Sequence, residues 1–80
     1  MPPARPSPDR VHRQLILSVR GQMKRKRWSL NQLADFSGLG RGYLSDILTA
    51  KKSPTVRTLV KLADALEIEV RDLFPPQAGR

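Results

Sequence analysis

The sequence predicts an all-α fold of about five helices, and three observations support this prediction. Apolar residues recur at intervals of three and four along several stretches, which is the spacing of a buried helix face. A Ser-x-x-Gln capping box, a well-placed glycine and several prolines mark where helices begin and end. The 80 residues include no cysteine, so the packing of helices must hold the chain together.

The chain begins with a proline-rich segment, residues 1–8, that we expect to be a flexible arm. The first helix starts with Ser7 as its cap, Pro8 at its first position and Asp9 near the positive end of its dipole. It is predicted to run to about Arg25. Its buried stripe consists of Val11, Leu15, Val19 and Met23, with Ile16 beside it and Leu17 on the opposite side.

Residues 30–49 have the pattern of a helix-turn-helix unit. A capping box opened by Ser29 starts the second helix, which runs through about Ser37. Gly38 suits the sharp turn that follows because glycine tolerates a positive φ. The third helix runs from about Arg41 to the end of the unit. Small or apolar residues stand where the two helices must cross, namely Leu33, Ala34, Leu44 and Ile47.

The polar residues 50–54 end the third helix, because a residue before proline avoids the helical region. Thr55 is predicted to cap a fourth helix, whose buried face is expected to contain Val56, Leu59, Val60, Ala63 and Leu66. A short fifth helix is predicted from Val70 to Phe74, before two prolines, and residues 75–80 form a disordered tail. We therefore expect one folded domain over residues 9–74.

The charge is distributed unevenly along the chain. Fifteen basic and seven acidic residues give a formal net charge of +8. Residues 1–28 carry +7, residues 29–62 carry +3 and residues 63–80 carry −2. A basic front and an acidic rear suit a protein that docks on a polyanion in one orientation. The alternative is that these charges only keep the surface soluble and have no role in binding.

Composition argues against several classes of function. One histidine and no recognisable pair of carboxylates leave little material for acid-base catalysis, so we expect no enzyme. No cysteine is present to bind a soft metal, and we expect no metal site and no cofactor. No stretch is apolar for long enough to cross a membrane, and the start lacks the apolar run of a signal peptide. The expected location is the bacterial cytosol or nucleoid.

From Leu15 to Phe74 the sequence resembles the Cro and phage-repressor (lambda repressor-like) helix-turn-helix family, through the segments WSLNQLADFSG, YLSDIL and SPTVRTLVKLADALEIEVRDLF. The resemblance implies the family's five-helix DNA-binding domain, with a helix-turn-helix formed by helices 2 and 3. Leu30 stands where relatives often carry a Gln that touches a phosphate, and we expect it to pack instead. Met23 and Leu48 replace an Arg–Glu pair, an exchange that can be neutral or stabilising.

The resemblance places the base-reading residues on the third helix, at Arg41, Gly42, Ser45 and Asp46, with Thr49 on the same exposed side. Arg41 can bind guanine O6 and N7 as a fork, Ser45 can serve donor or acceptor edges, and Asp46 can accept from cytosine N4. Gly42 contributes only a lack of bulk. The alternatives are a solvated Arg41 and an Asp46 that merely orients Arg41.

Phosphate contacts are expected from groups around that helix. Lys51, Lys52 and Arg57 match the family's backbone-contacting region, with simple solvation as the alternative. Arg27 ends a basic run that equally suits stabilisation of the first helix at its C-terminus. The Tyr43 ring is expected mainly to pack, with a hydroxyl that can reach a phosphate.

Two functions follow from these predictions. The first is a sequence-specific transcriptional regulator that binds double-stranded DNA, as a homodimer on a palindromic operator, of the phage-repressor or restriction-modification controller type. Its dimer interface is expected at Ile68, Val70 and Phe74, with Leu17 as a rival surface. The second is an antitoxin-like or coactivator-like module whose main role is to bind another protein, such as a toxin or RNA polymerase.

Trp28 precedes the cap of the second helix and is predicted to belong to the core.

Overall fold

The computed structural model describes residues 8–74, which form four α-helices and a C-terminal 3-10 helix. The helices are α1 (Pro8–Lys26), α2 (Leu30–Ser37), α3 (Arg41–Leu48), α4 (Val56–Leu66) and the 3-10 helix (Val70–Leu73). Residues 8–74 contain no strand, which confirms the all-α prediction. The predicted fifth helix is a single 3-10 turn. Apart from Pro8, which starts α1, the predicted arm and tail lie outside the described residues.

The predicted helix ends are formed by local hydrogen bonds. Ser29 Oγ accepts the N–H of Gln32 at 3.2 Å, and Gln32 Oε1 accepts the N–H of Ser29 at 2.7 Å, which completes the capping box of α2. Thr55 Oγ1 accepts the N–H of Thr58 at 3.1 Å and caps α4. Gly38 ends α2 with φ +75°, the left-handed conformation that the turn requires.

The core lies where the helices meet and is mostly apolar. Its fully buried side chains are Leu15, Val19, Leu33, Leu44, Ile47, Leu62, Leu66 and Leu73. The predicted stripe of α1 is largely confirmed, and Leu17 lies on the opposite side, where its side chain is 65% exposed. No helix within residues 8–74 is both long and apolar enough to cross a membrane.

The predicted buried face of α4 was partly wrong. Val56 and Val60 are 76% and 49% exposed, and Thr58 and Leu62 are buried instead. Thr58 is polar, but its hydroxyl oxygen lies 2.9 Å from the Tyr43 hydroxyl, so its burial leaves no polar group unpaired. A pattern of apolar residues does not reveal a core position that is occupied by threonine. The predicted buried face of α4 is therefore rotated by about one residue from the observed one.

Three helix ends place a residue other than glycine in the left-handed region, namely Arg27 (φ 58°), Ala50 (φ 64°) and Glu67 (φ 60°). At each end the N–H of the following residue donates to the carbonyl five positions back, as Lys51 does to Asp46 at 2.7 Å. A side chain in this region costs roughly 1 kcal/mol or more, so these turns are held in place by the surrounding hydrogen bonds.

We expect Ala50→Gly to raise the free energy of unfolding by about 0.5 to 1 kcal/mol, because glycine adopts a positive φ without a steric penalty. Chemical denaturation measures this change. Ala65→Gly, inside α4, is the matched control and should lower the free energy of unfolding by roughly 1 kcal/mol. A loss of stability in Ala50→Gly similar to that of the control would contradict the assignment of the turn.

Candidate nucleic-acid interface

The helix α3 turns one apolar face inward and one polar face outward. Leu44, Ile47 and Leu48 are buried in the core. The five residues predicted to reach base edges lie on the other face, where Arg41, Gly42 and Thr49 are exposed and Ser45 and Asp46 are half-exposed. The structure thus brings all five together on one open surface. The turn at Gly38 and the burial of Leu44, Ile47 and Leu48 fix the orientation of α3, so its polar face points to solvent.

A buried serine fixes the turn between α2 and α3. Ser37 Oγ donates to the carbonyl of Ala34 at 3.3 Å and accepts the N–H of Leu39 at 3.3 Å. The side chain therefore takes up backbone groups on both sides of Gly38, where the chain changes direction. Ser37 was not predicted from the sequence, because a lone serine at a helix end has no distinguishing pattern.

Asp46 is oriented toward Lys52 rather than Arg41. Its Oδ2 lies 3.6 Å from Lys52 Nζ, and that ammonium also lies 5.9 Å from the centre of the Tyr43 ring. The carbonyl of Asp46 accepts the N–H groups of both Lys51 and Lys52, at 2.7 and 3.2 Å. Asp46 thereby holds the loop that carries Lys51 and Lys52, two of the five predicted phosphate ligands. The predicted alternative, in which Asp46 orients Arg41, is replaced by this pair.

Tyr43 connects α3 to the start of α4. Its hydroxyl lies 2.9 Å from Thr58 Oγ1, which in turn lies 3.0 Å from Thr55 Oγ1. The half-buried ring packs against the core, as the sequence suggested. The hydroxyl is directed to Thr58, and a phosphate contact by Tyr43 stays a prediction. Thr55 was predicted only as the cap of α4, and Thr58 was not predicted, because its partner Tyr43 lies fifteen residues away in the sequence.

The predicted phosphate ligands border the polar face of α3. Lys51 and Lys52 lie in the loop after α3, Arg57 lies in the first turn of α4, and all three are exposed. Arg27 is also exposed, at the left-handed end of α1. Flexible cations around a polar helix face supply the charge that a phosphate backbone attracts. Within residues 8–74, no group of three side chains has the composition of a metal site.

An aromatic pair lies beside this surface. Trp28 is half-buried and packs against the core, in agreement with the prediction, and its ring stacks on Phe36 with centroids 4.6 Å apart. Phe36 is 60% exposed. Lys26 Nζ lies 5.2 Å from the centre of the Trp28 ring and 3.9 Å from Glu67 Oε1. This ammonium therefore interacts with groups of the protein itself.

The residues that depart from the family pattern pack as apolar residues. Leu30 is half-buried against the core, in agreement with the prediction. Met23 and Leu48 line one cleft of about 220 Å³ between α1 and the end of α3, together with Arg20 and Thr49. Their positions are compatible with an apolar replacement of an ion pair.

The predicted dimer residues differ in exposure. Ile68 and Phe74 are half-buried and pack against the core, whereas Val70 is 37% exposed. The most exposed large apolar side chains elsewhere are Leu17, Phe36, Val56 and Val60. The C-terminal surface predicted for dimerisation is therefore less apolar than the sequence suggested, and the dimer stays a prediction.

A helix-turn-helix family model matches residues 19–73, more than half of the chain. The chain therefore belongs to the Cro/C1-type helix-turn-helix family, which confirms the resemblance seen in the sequence.

Two curated proteins are similar to the chain. The HTH-type transcriptional regulator SlrR of Bacillus subtilis (strain 168) is 42% identical over 57 residues, covering 70% of this chain and 38% of that protein. The HTH-type transcriptional regulator SutR of Escherichia coli (strain K12) is 37% identical over 60 residues, covering 72% of this chain and 34% of that protein. The chain thus spans little more than a third of either relative.

Two solved structures have the same fold. The restriction-modification controller protein C.AhdI from Aeromonas hydrophila matches with a TM-score of 0.74 and 32% identity, over 79% of this chain and 96% of that chain. The hypothetical transcription factor NHTF from Neisseria matches with a TM-score of 0.79 and 26% identity, over 95% of this chain and 87% of that chain.

Proposed function

We propose that the protein is a DNA-binding transcriptional regulator that reads a palindromic operator as a homodimer. The observation that supports this most directly is the outward face of α3, with Arg41 exposed at its start and the cations Lys51, Lys52 and Arg57 around it. A helix held in this way presents base-reading groups to a major groove while the surrounding cations contact phosphates. The cytosol or nucleoid of a bacterium is its proposed location.

The similar proteins support the same proposal, but they differ in how much of their length this chain matches. SlrR and SutR are named as transcriptional regulators, but this chain corresponds to only part of each. C.AhdI is matched over almost its whole length and is named as a restriction-modification controller protein. We therefore favour a regulator of the controller type.

The dimer is proposed on the C-terminal surface that includes Val70. The exposed stripe of Val56 and Val60 on α4 and the exposed Leu17 on α1 are rival surfaces. Sedimentation at micromolar concentration, with and without operator DNA, measures the assembly of the full chain. Val70→Lys should weaken association while Leu17→Lys should not. A monomer both free and on DNA would contradict the dimer, and the reverse effect of the two variants would move the interface to α1.

Selection of random duplex DNA by the full chain tests the function. We expect an enriched palindrome whose half-sites are about 10 base pairs apart, since two recognition helices of a dimer are separated by about one turn of DNA. The protein-binding alternative is supported by the exposed Phe36 on α2. A folded chain that enriches no sequence would contradict the regulator and favour that alternative.

Gly42 offers a direct test of which helix face meets DNA. A Cβ built at Gly42 or at Gly21 has no heavy atom within 4 Å, so alanine fits at both positions. Gly21→Ala should raise the free energy of unfolding by about 1 kcal/mol, and Gly42→Ala by a smaller amount because it lies in a first turn. Only Gly42→Ala adds a methyl group to the predicted interface.

We therefore expect Gly42→Ala to weaken binding to the selected operator and Gly21→Ala to leave it unchanged. Fluorescence anisotropy with labelled operator measures both affinities. Equal affinities for the two variants and the wild type would show that Gly42 does not face the groove.

A further inference from the structure

Two side chains of α1 bind the last carbonyls of α3. His12 Nε2 lies 2.9 Å from the carbonyl oxygen of Ile47, and Arg20 Nη2 donates to the carbonyl of Leu48 at 3.3 Å. Because a carbonyl only accepts, the His12 nitrogen must carry a hydrogen. The final carbonyls of a helix lack partners within the helix, so donors from another element both satisfy them and fix where the helix end lies.

The neighbouring carbonyls of α3 are satisfied locally. Thr49 donates to the carbonyl of Ser45 through both its N–H, at 3.0 Å, and its hydroxyl, at 2.8 Å. The carbonyl of Asp46 accepts from the loop that follows. The carbonyl of Ile47 accepts the N–H of Ala50 at 3.1 Å, so His12 adds a second donor to that oxygen. Among the contacts described above, the carbonyls of Ile47 and Leu48 are the ones bound by side chains of α1. These two bonds therefore link the end of α3 to a different helix.

Apolar packing at this end of α3 is incomplete. The cleft of about 220 Å³ is lined by Arg20 and Met23 of α1, by residues 28–30 at the start of α2, and by Ser45, Leu48 and Thr49 of α3 and its cap. Close packing normally fixes the angle between two helices, and an open cleft leaves that angle less determined. The hydrogen bond of Arg20 lies at this cleft, and that of His12 lies two turns earlier on α1, so the two bonds together set the distance between α1 and the end of α3.

We infer that His12 and Arg20 are positioning residues, which fix the tilt of α3 and thereby the bases that Ser45 and Thr49 reach. This inference rests on the proposed function. The family's Arg–Glu pair is replaced here by Met23 and Leu48, and Arg20 stands one turn earlier on α1. Its acceptor is a backbone oxygen, so the link does not depend on which side chain occupies position 48.

The test compares three variants of the full chain. Arg20→Met removes the donor and keeps an unbranched apolar stem, Arg20→Lys restores a cationic donor, and Arg13→Met removes an equal charge from another exposed position of α1. The measured quantity is the ratio of affinities for the selected operator and random DNA, in which a general loss of charge largely cancels. We expect this ratio to fall at least fivefold in Arg20→Met, about the cost of one mismatched base pair, and to recover in Arg20→Lys. Arg13→Met should leave it unchanged.

A second measurement follows the helix itself in the absence of DNA. In Arg20→Met, the NMR carbonyl and amide shifts should change most at residues 47–50 and little in α2. His12→Phe, which keeps a ring but removes the donor, should change the same residues. These variants also keep the inference testable if one of the Arg20 variants folds poorly.

The outcomes separate the positioning role from its rivals. If Arg20→Met weakens binding to all DNA alike and lowers the slope of log affinity against log salt by about 0.9, Arg20 is a phosphate ligand and the inference is wrong. It is also wrong if the shift changes do not localise to the end of α3. If the wild type prefers no sequence, the proposed function fails, and the NMR comparison alone decides whether Arg20 and His12 hold α3.

Discussion

Replacing Leu48 by glutamate is expected to lower the free energy of unfolding by about 3 kcal/mol. Leu48 is only 4% exposed, at the wall of a cleft that Met23 shares, so the new carboxylate is largely removed from water. The guanidinium of Arg20 lies near, but it already donates to the carbonyl of Leu48, which limits what it can offer a new carboxylate. Urea denaturation of the purified chain measures the loss.

Adding Met23→Arg to Leu48→Glu should restore part of this loss. The pair would recreate the arrangement implied by the family resemblance, and contacting residues couple by roughly 0.5 to 3 kcal/mol. A double-mutant cycle isolates the coupling. The control cycle joins Met23→Arg to Leu66→Glu, a buried position on α4, and should show no recovery. Strictly additive losses in the first cycle would show that positions 23 and 48 do not meet.

The parts of the fold that were predictable are those fixed by neighbours in sequence. The capping box at Ser29, the left-handed Gly38 and the Thr55 cap each depend on groups within a few residues, and each lies where the sequence predicted it. The outward face of α3 followed for the same reason. Once two helices cross at small residues, the periodicity of α3 decides which side remains exposed.

The features that escaped prediction depend on contacts between distant residues. Thr58 occupies a core position because Tyr43, fifteen residues away, takes up its hydroxyl. His12 and Ile47 are thirty-five residues apart, and nothing in either segment indicates that they meet. The loop that pairs Lys52 with Asp46 contains Ala50 at a positive φ, an uncommon conformation for alanine that the sequence does not indicate. Sequence periodicity carries no information on such partners.

The pairing of Asp46 with Lys52 also changes how the two loop lysines should behave. Lys52→Ala would remove a cation and leave Asp46 without its partner beside the expected phosphates, so its effect combines two causes. Lys51 has no acidic neighbour among the described ion pairs and is the cleaner probe of a phosphate contact. Lys51→Ala should weaken binding to all sequences alike and lower the salt slope by about 0.9.

Arg41→Ala should act differently from Lys51→Ala. If the guanidinium binds guanine O6 and N7 as a fork, its loss should cost roughly 1 to 3 kcal/mol per half-site on the preferred operator and relax the preference at one base position. Arg41 is exposed at the start of α3, so the substitution leaves the core intact and the free energy of unfolding nearly unchanged. Binding titrations on the operator, on single-base variants of it and on random DNA separate the two behaviours.

An equal loss of affinity for specific and random DNA in Arg41→Ala, with every base preference intact, would make Arg41 a phosphate ligand. Sequence preference would then have to come from Ser45, Asp46 or Thr49, or from the shape of the DNA. Asp46 and Thr49 are already engaged, the first with Lys52 and the second with the carbonyl of Ser45. Direct contact with base edges would then fall mainly to Ser45. Because one hydroxyl can pair with donor and acceptor edges alike, it distinguishes bases poorly, and the deformability of the DNA would largely define the operator.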